Sequence, residues 1–328
     1  MSTAASPLRP ASAGQPADAA QAVPVRPSRL LRATLLVNLV AQVGIVLTGG
    51  LVRLTGSGLG CPTWPQCVPG SYTPVLQQPQ GWHKDVEFGN RLLTFVVGVA
   101  AIASLVLVWR FVRRWRPAAP RRLLVLGAVP LLGVFAQAVL GGVTVLTGLS
   151  PATVAAHFLL SMVLVAASTV LYLSFAAPTR AAGVRREIAQ LGWAVAALAA
   201  VVLVLGTVVT GSGPHSGDAQ RPTRFGFDPA TVSWLHADAV WLFVGLVVAL
   251  LVALRLSTAP VASRRAGVLL VVTLLQGAVG YVQYATDLPV ALVAAHVLGA
   301  SSLVVAVTAV VVALTGTPAA RTLAPAPR

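Results

Sequence analysis

The stretch QAVLGGVTVLTGLSPATVAAH at residues 137–157 is written a second time, as QGAVGYVQYATDLPVALVAAH at 276–296. Gln137/Gln276, Gly141/Gly280, Val143/Val282, Thr147/Thr286 and Leu149/Leu288 recur in register, and both copies close on Val-Ala-Ala-His. A fainter echo pairs Thr-Gly-Ser-Gly at 55–58 with the same four residues at 210–213. Each long copy covers the end of one apolar run, a tight junction and the start of the next. The chain therefore reads as two related halves built from apolar segments.

Working outward, eight such runs can be traced, near 30–52, 88–112, 123–146, 152–176, 189–211, 231–255, 266–286 and 288–314. Each reaches the roughly 20 residues that cross a bilayer as a helix. Of the 328 residues 56% are hydrophobic and 9% charged, where a soluble domain carries about a quarter charged. The expected fold is an all-α integral membrane protein of eight transmembrane helices. Four spans per half start both halves on the same side, so the repeats are parallel, forming two four-helix bundles. The divisions expected are a disordered cytoplasmic tail at 1–29, an N-terminal bundle at 30–176, a C-terminal bundle at 189–314 and a second tail at 315–328. The Ala-, Pro- and Ser-rich start lacks the apolar core of a signal peptide.

A net charge of +15 would suit a nucleic-acid binder, but its distribution excludes that reading. Eighteen of 23 basic residues lie in the first 32 residues, the loops near 110–122, 180–186 and 255–265, and the C-terminal tail. Six of eight acids (Asp85, Glu87, Asp218, Asp228, Asp238, Asp287) lie on the opposite side. The positive-inside rule places both termini in the cytoplasm of a multi-pass plasma-membrane protein. Cys61 and Cys67 share the first outer loop, where an oxidising compartment favours a disulfide over two free thiols.

Three of five histidines fall inside spans at similar depth: His157, His236 and His296. A lone one is as readily a core histidine bonded to a carbonyl. Two on alternate helices of one bundle, His236 and His296, favour axial ligation of heme iron. Zinc lacks further ligands there, and copper held by imidazole alone is the competing reading. Gln137 and Gln276 are either orienting partners of the imidazoles or interhelical packing bonds. His83 and His215, in outer loops, read as solvated. Laying EFGNRLL (87–93) on SWLHADA (233–239) sets Asn90 opposite His236. The N-terminal half then has a cavity with His157 on one side, Asn90 on the other, and Glu87 on the same face as Asn90. Glu87 is either a general acid/base or the partner of Arg91 in a helix pair. Gly49, Gly50, Gly141, Gly142 and Gly280 read as sites of close helix approach.

TGGLVRLTGSGLGCPTWPQC (48–67), EFGNR (87–91), GSGPH (211–215) and the three histidines resemble the heme A synthase family over essentially all of 30–314. The resemblance implies an eight-helix membrane oxidoreductase that oxidises the C8 methyl of heme O to the formyl of heme A for a terminal oxidase. It implies a resident heme b on His236 and His296, substrate heme at His157, Glu87 as the essential acid, and Cys61 and Cys67 as the outer-loop pair. Arg53 and Arg91 are the expected partners of its propionates. Heme O synthase, terminal oxidase assembly and a homo-oligomer are the implied partners. Two features depart from the pattern: Asn90 stands where many members have histidine, and the C-terminal half lacks a second cysteine pair. A bis-histidine b-type electron carrier is the alternative, although it has no use for Glu87. A transporter would place its polar residues at the midplane.

Overall fold

The computed structural model describes residues 27–115, 121–177, 181–218 and 220–317; of the tails expected at 1–29 and 315–328, residues 1–26 and 318–328 lie outside them. The described residues form eight helices: α1 (Arg29–Leu54), α2 (His83–Arg114), α3 (Arg122–Leu146), α4 (Pro151–Ala176), α5 (Arg186–Ser212), α6 (Pro229–Arg255), α7 (Pro260–Ala285) and α8 (Val290–Thr315). All eight are long and apolar enough to cross a membrane. Large side chains such as Phe95, Val99, Leu132 and Trp241 point outward and exposed, as lipid-facing positions should.

The starts of α2, α7 and α8 differ from the hydropathy reading in ways that the local sequence and backbone account for. α2 begins at His83, because its polar first turn is helical although it is not apolar. α7 begins at Pro260, whose fixed φ and missing N–H suit a first helical position. α8 begins at Val290, because Asp287 (φ 58°) and Leu288 (φ 57°) take left-handed backbone. The repeat reproduces this turn: Gly148 and Leu149 have φ of 61° and 58°. The Leu149 N–H donates to the Thr144 carbonyl (2.9 Å), and the Leu288 N–H to that of Gln283 (2.8 Å).

α1 packs on α2 and α4, α2 on α3, and α3 on α4, closing one ring of four. α5 to α8 close a second in the same order. The rings meet where α8 touches α1 and α4, and where α4 touches α5. At that seam a β-carbon on Gly50 would lie 3.3 Å from Val297, so bare backbone lets α1 and α8 approach. The second ring holds a continuous apolar core that includes Val195, Phe243, Val247, Leu250, Leu269 and Val307. The first has a smaller one, around Leu35, Val108, Phe111, Leu171 and Phe175.

Loops 55–82 and 213–228 and both tight turns lie at one end, here the cap end, and the arginine-rich loops lie at the other, the basic end. At the cap end the halves clasp each other. Gly58 N–H donates to the Gly217 carbonyl (2.8 Å), and Arg53 donates to the carbonyls of His215 (2.7 Å) and Thr210 (2.9 Å). The Thr223 hydroxyl reaches the carbonyl of Leu149 (3.0 Å).

Candidate functional site

Helix register puts four side chains at one level. Asn90 and His236 are the eighth residues of α2 and α6, and His157 and His296 the seventh of α4 and α8. At 1.5 Å per residue all four lie about 10 Å from the cap-end start of their helices. Each faces a glycine on the preceding antiparallel helix. A β-carbon on Gly141 would lie 3.2 Å from His157 Cε1, one on Gly206 would lie 3.3 Å from that of His236, and one on Gly280 would lie 3.2 Å from that of His296. The fourth pair is Gly49 with Asn90 Nδ2, at 3.9 Å. The structure therefore contains four equivalent sockets, three filled by imidazole and one by an amide. Gly206 was not legible as a socket glycine, because only the helix register brings it to His236.

In His157, His236 and His296, Nδ1 is fully buried and makes no hydrogen bond of ordinary geometry. The side-chain amides of Gln137 and Gln276 make no hydrogen bond to the imidazoles. Their Nε2 atoms donate to the backbone carbonyls of His157 (3.1 Å) and His296 (2.7 Å), which is the interhelical packing arrangement. Asn90 is held from α1, where the Thr48 hydroxyl donates to its Oδ1 (2.8 Å). No group of three or more His, Cys, Asp or Glu that could hold a metal ion occurs among the described residues.

Above Asn90, Glu87 is 6% exposed. Its Oε1 accepts from Arg91 Nε (3.1 Å) and Nη2 (2.6 Å), and its Oε2 accepts from the backbone N–H of Cys61. Arg91 also donates to the carbonyls of Cys61 (3.0 Å), Thr63 (3.1 Å) and Gln66 (3.4 Å). The Glu87–Arg91 pair, one of the two readings open from the sequence, is made, and it also clips down the loop that Cys61 and Cys67 close as a disulfide. Both cysteines are sealed from solvent. The loop carries Trp64 onto bare Gly142, the neighbour of the His157 socket glycine.

His83 and His215 are half-buried and bonded rather than free in solvent. His83 Nδ1 shares a 2.9 Å hydrogen bond with the Ser57 hydroxyl, and its ring stacks on Trp82. His215 Nε2 lies 3.0 Å from the Leu288 carbonyl. Residues 57–58 and 215–218 thus join the two halves at the cap end.

A family model described as Cytochrome oxidase assembly protein matches residues 32–308. Among curated relatives, the Heme A synthase of Lysinibacillus sphaericus is 36% identical over 124 residues, covering 38% of this chain and 38% of that protein. The Heme A synthase of Alkalihalophilus pseudofirmus is 33% identical over 128 residues, covering 39% and 40%. That of Bacillus licheniformis is 29% identical over 137 residues, covering 42% of each. The matched stretches thus span about two-fifths of the relatives' length.

Proposed function

We infer, since the chain belongs to the cytochrome oxidase assembly protein family, that it works as a heme A synthase, oxidising the C8 methyl of heme O to a formyl group. The observation that carries this reading is the asymmetry between the rings. The second has imidazole sockets at one level on two alternate helices, while the first has one imidazole and one amide at those places and a buried carboxylate one turn from the amide.

The histidines fit heme. Three rings sit in bare-backbone cradles that a β-carbon would fill, and in each Nδ1 is buried. His236 and His296 would hold the resident heme b, and His157 the substrate heme. Once bound, the resident heme supplies reversible one-electron chemistry. The chain's own residues supply geometry and proton handling. Gly206 and Gly280 fix the imidazole planes, and Thr48 fixes the amide of Asn90. Glu87 holds or releases a proton where the methyl carbon becomes alcohol, then geminal diol, then aldehyde. With water supplying oxygen, the balance is R–CH3 + H2O → R–CHO + 4H+ + 4e−, the electrons passing to an external acceptor. Arg91 is committed to Glu87 and the loop, and Arg53 to the joint between the rings. A propionate at either would be an additional acceptor for the same guanidinium.

The basic end supports a cytoplasmic placement of both termini in the plasma membrane. In this reading heme O synthase delivers the substrate and a terminal oxidase under assembly takes the product.

The alternative is a b-type electron carrier. Pigment extraction and turnover with supplied heme O separate the two. A synthase should carry heme B with traces of heme O or A and form heme A, whereas heme B alone with no turnover would establish the carrier. His236→Ala or His296→Ala should abolish the stable low-spin heme B spectrum, and survival of that spectrum in either variant would overturn the resident-site assignment.

A further inference from the structure

The first ring carries buried polar side chains whose hydrogen-bonding capacity its packing and sockets leave partly unmet. Asn38 and Gln42 on α1, Ser104 on α2 and Ser168 on α4 are 1%, 3%, 0% and 1% exposed. Asn38 Nδ2 reaches the Ser168 hydroxyl at 3.3 Å. Asn38 Oδ1, Gln42 Nε2, Ser104 Oγ and, on α3, Gln137 Oε1 are all buried without a partner. A helical serine ordinarily satisfies itself on the carbonyl four residues back. Thr169, Ser174, Thr273 and Ser301 do so, but Ser104 does not.

The second ring shows that the fold does not require this polarity. Asn38 and Gln42 precede Gly49 by eleven and seven residues, as Val195 and Ala199 precede Gly206. Ser104 follows Asn90 by fourteen residues, as Leu250 follows His236. Ser168 follows His157 by eleven, as Val307 follows His296. All four counterparts belong to one buried apolar cluster. Four matched positions are thus polar in the ring with the single imidazole and apolar in the ring with two.

The register orders these groups along the ring. Counted from the socket level at 1.5 Å per residue, Ser161 with its partner Gln137 is about 6 Å toward the basic end, and Gln42 about 10 Å. Asn38 with Ser168 is about 16 Å and Ser104 about 21 Å toward it. An unmet acceptor, a donor, a second acceptor and a hydroxyl follow one another from the pocket toward the basic end. Buried water typically makes about three hydrogen bonds to such groups, and each group left unmet costs about 1–3 kcal/mol.

We propose that the first ring binds a file of water between Gln137, Gln42, Asn38 and Ser104, linking the pocket at His157 and Asn90 to the basic end. The water site stands on the geometry alone. Its use, to supply water and carry protons during methyl oxidation, rests on the synthase reading, whose balance consumes one water and releases four protons.

Radiolytic hydroxyl labelling of the full-length protein in 18O water tests the site without any turnover. Met162 and Leu164, buried on α4 within a turn of the Gln42 level, should take up 18O label, at least fivefold less in Asn38→Val/Gln42→Leu. Absent label in the unmodified protein, or equal label in the variant, overturns the water file. Turnover with heme O then tests its use. Gln42→Leu should keep heme content and melting temperature while turnover falls about tenfold, and Gln42→Ser, which leaves a hydroxyl and room for one more water, should restore most of it. Turnover within twofold of the unmodified protein in a variant that has lost the label overturns the transport role. A chain that makes no heme A at all overturns the synthase reading and leaves the labelling result to decide the site.

Discussion

Replacing Glu87 by Gln keeps the side chain's length and its capacity to accept the Cys61 N–H, but removes the charge that Arg91 faces. Arg91 retains three loop carbonyls, so the loop should stay docked. Glu87→Gln is therefore expected to hold near-normal heme while heme A formation falls at least a hundredfold, read by chromatography of extracted hemes. Activity within a few-fold of the unmodified protein would reduce Glu87 to the loop's anchor. At Asn90 an amide is a poor ligand for heme iron beside imidazole. Bound heme O should accordingly show a high-spin component by EPR or resonance Raman, and Asn90→His should convert it to low spin. The substitution has room, since Gly49 leaves the same bare cradle that Gly141, Gly206 and Gly280 leave for the histidines. A substrate heme already six-coordinate and bis-histidine in the unmodified protein would refute this.

Among elements, the apolar runs located all eight helices because membrane crossing demands length and hydrophobicity, and both properties are local. The same reading missed the first turns of α2 and α7, the one polar and the other opened by Pro260 and followed by Arg264 and Arg265, because neither is continuously apolar. The histidines and Glu87 were legible because ionisable groups in a span stand out. The sockets were not, because a glycine acquires its meaning only from the side chain that the neighbouring helix brings against it. Thr48, the Cys61 N–H and Gly206 were missed for that reason. The sockets carry their own prediction. A β-carbon at Gly206 or Gly280 would press the imidazole by a few tenths of an ångström, so overpacking should cost about 1–3 kcal/mol. Gly206→Ala and Gly280→Ala are expected to yield folded protein with weakened heme B retention, measured as heme per protein after purification. Unchanged retention in both would remove the cradle's role. Gly60→Ala should be harsher, since its β-carbon would meet the backbone of His83 and Lys84, which cannot yield as a side-chain tip does. Limited proteolysis of the 55–82 loop should report that loss of docking.

At the scale of the molecule, the two rings are held together at the cap end mainly through backbone carbonyls, with Arg53 as their shared donor. Hydrogen bonds from a charged group contribute about 1.5–3 kcal/mol, less where solvent reaches them. Arg53→Met is expected to lower stability by about 1–2 kcal/mol, seen as a reduced melting temperature in detergent, with both rings still helical by circular dichroism. An unchanged melting temperature would mean that the α1–α8 and α4–α8 contacts suffice. The repeat itself was legible because its halves share a turn that only particular residues tolerate. The polar interior of the first ring was not, since single polar residues in a span look alike until the matching apolar core is set beside them. The four-socket plan has one more consequence, and it concerns heredity. Asparagine and histidine codons differ by a single base, and Gly49 has already cleared the space. The amide and imidazole forms of this pocket are therefore one point mutation apart, with the glycine that an imidazole would face already in place.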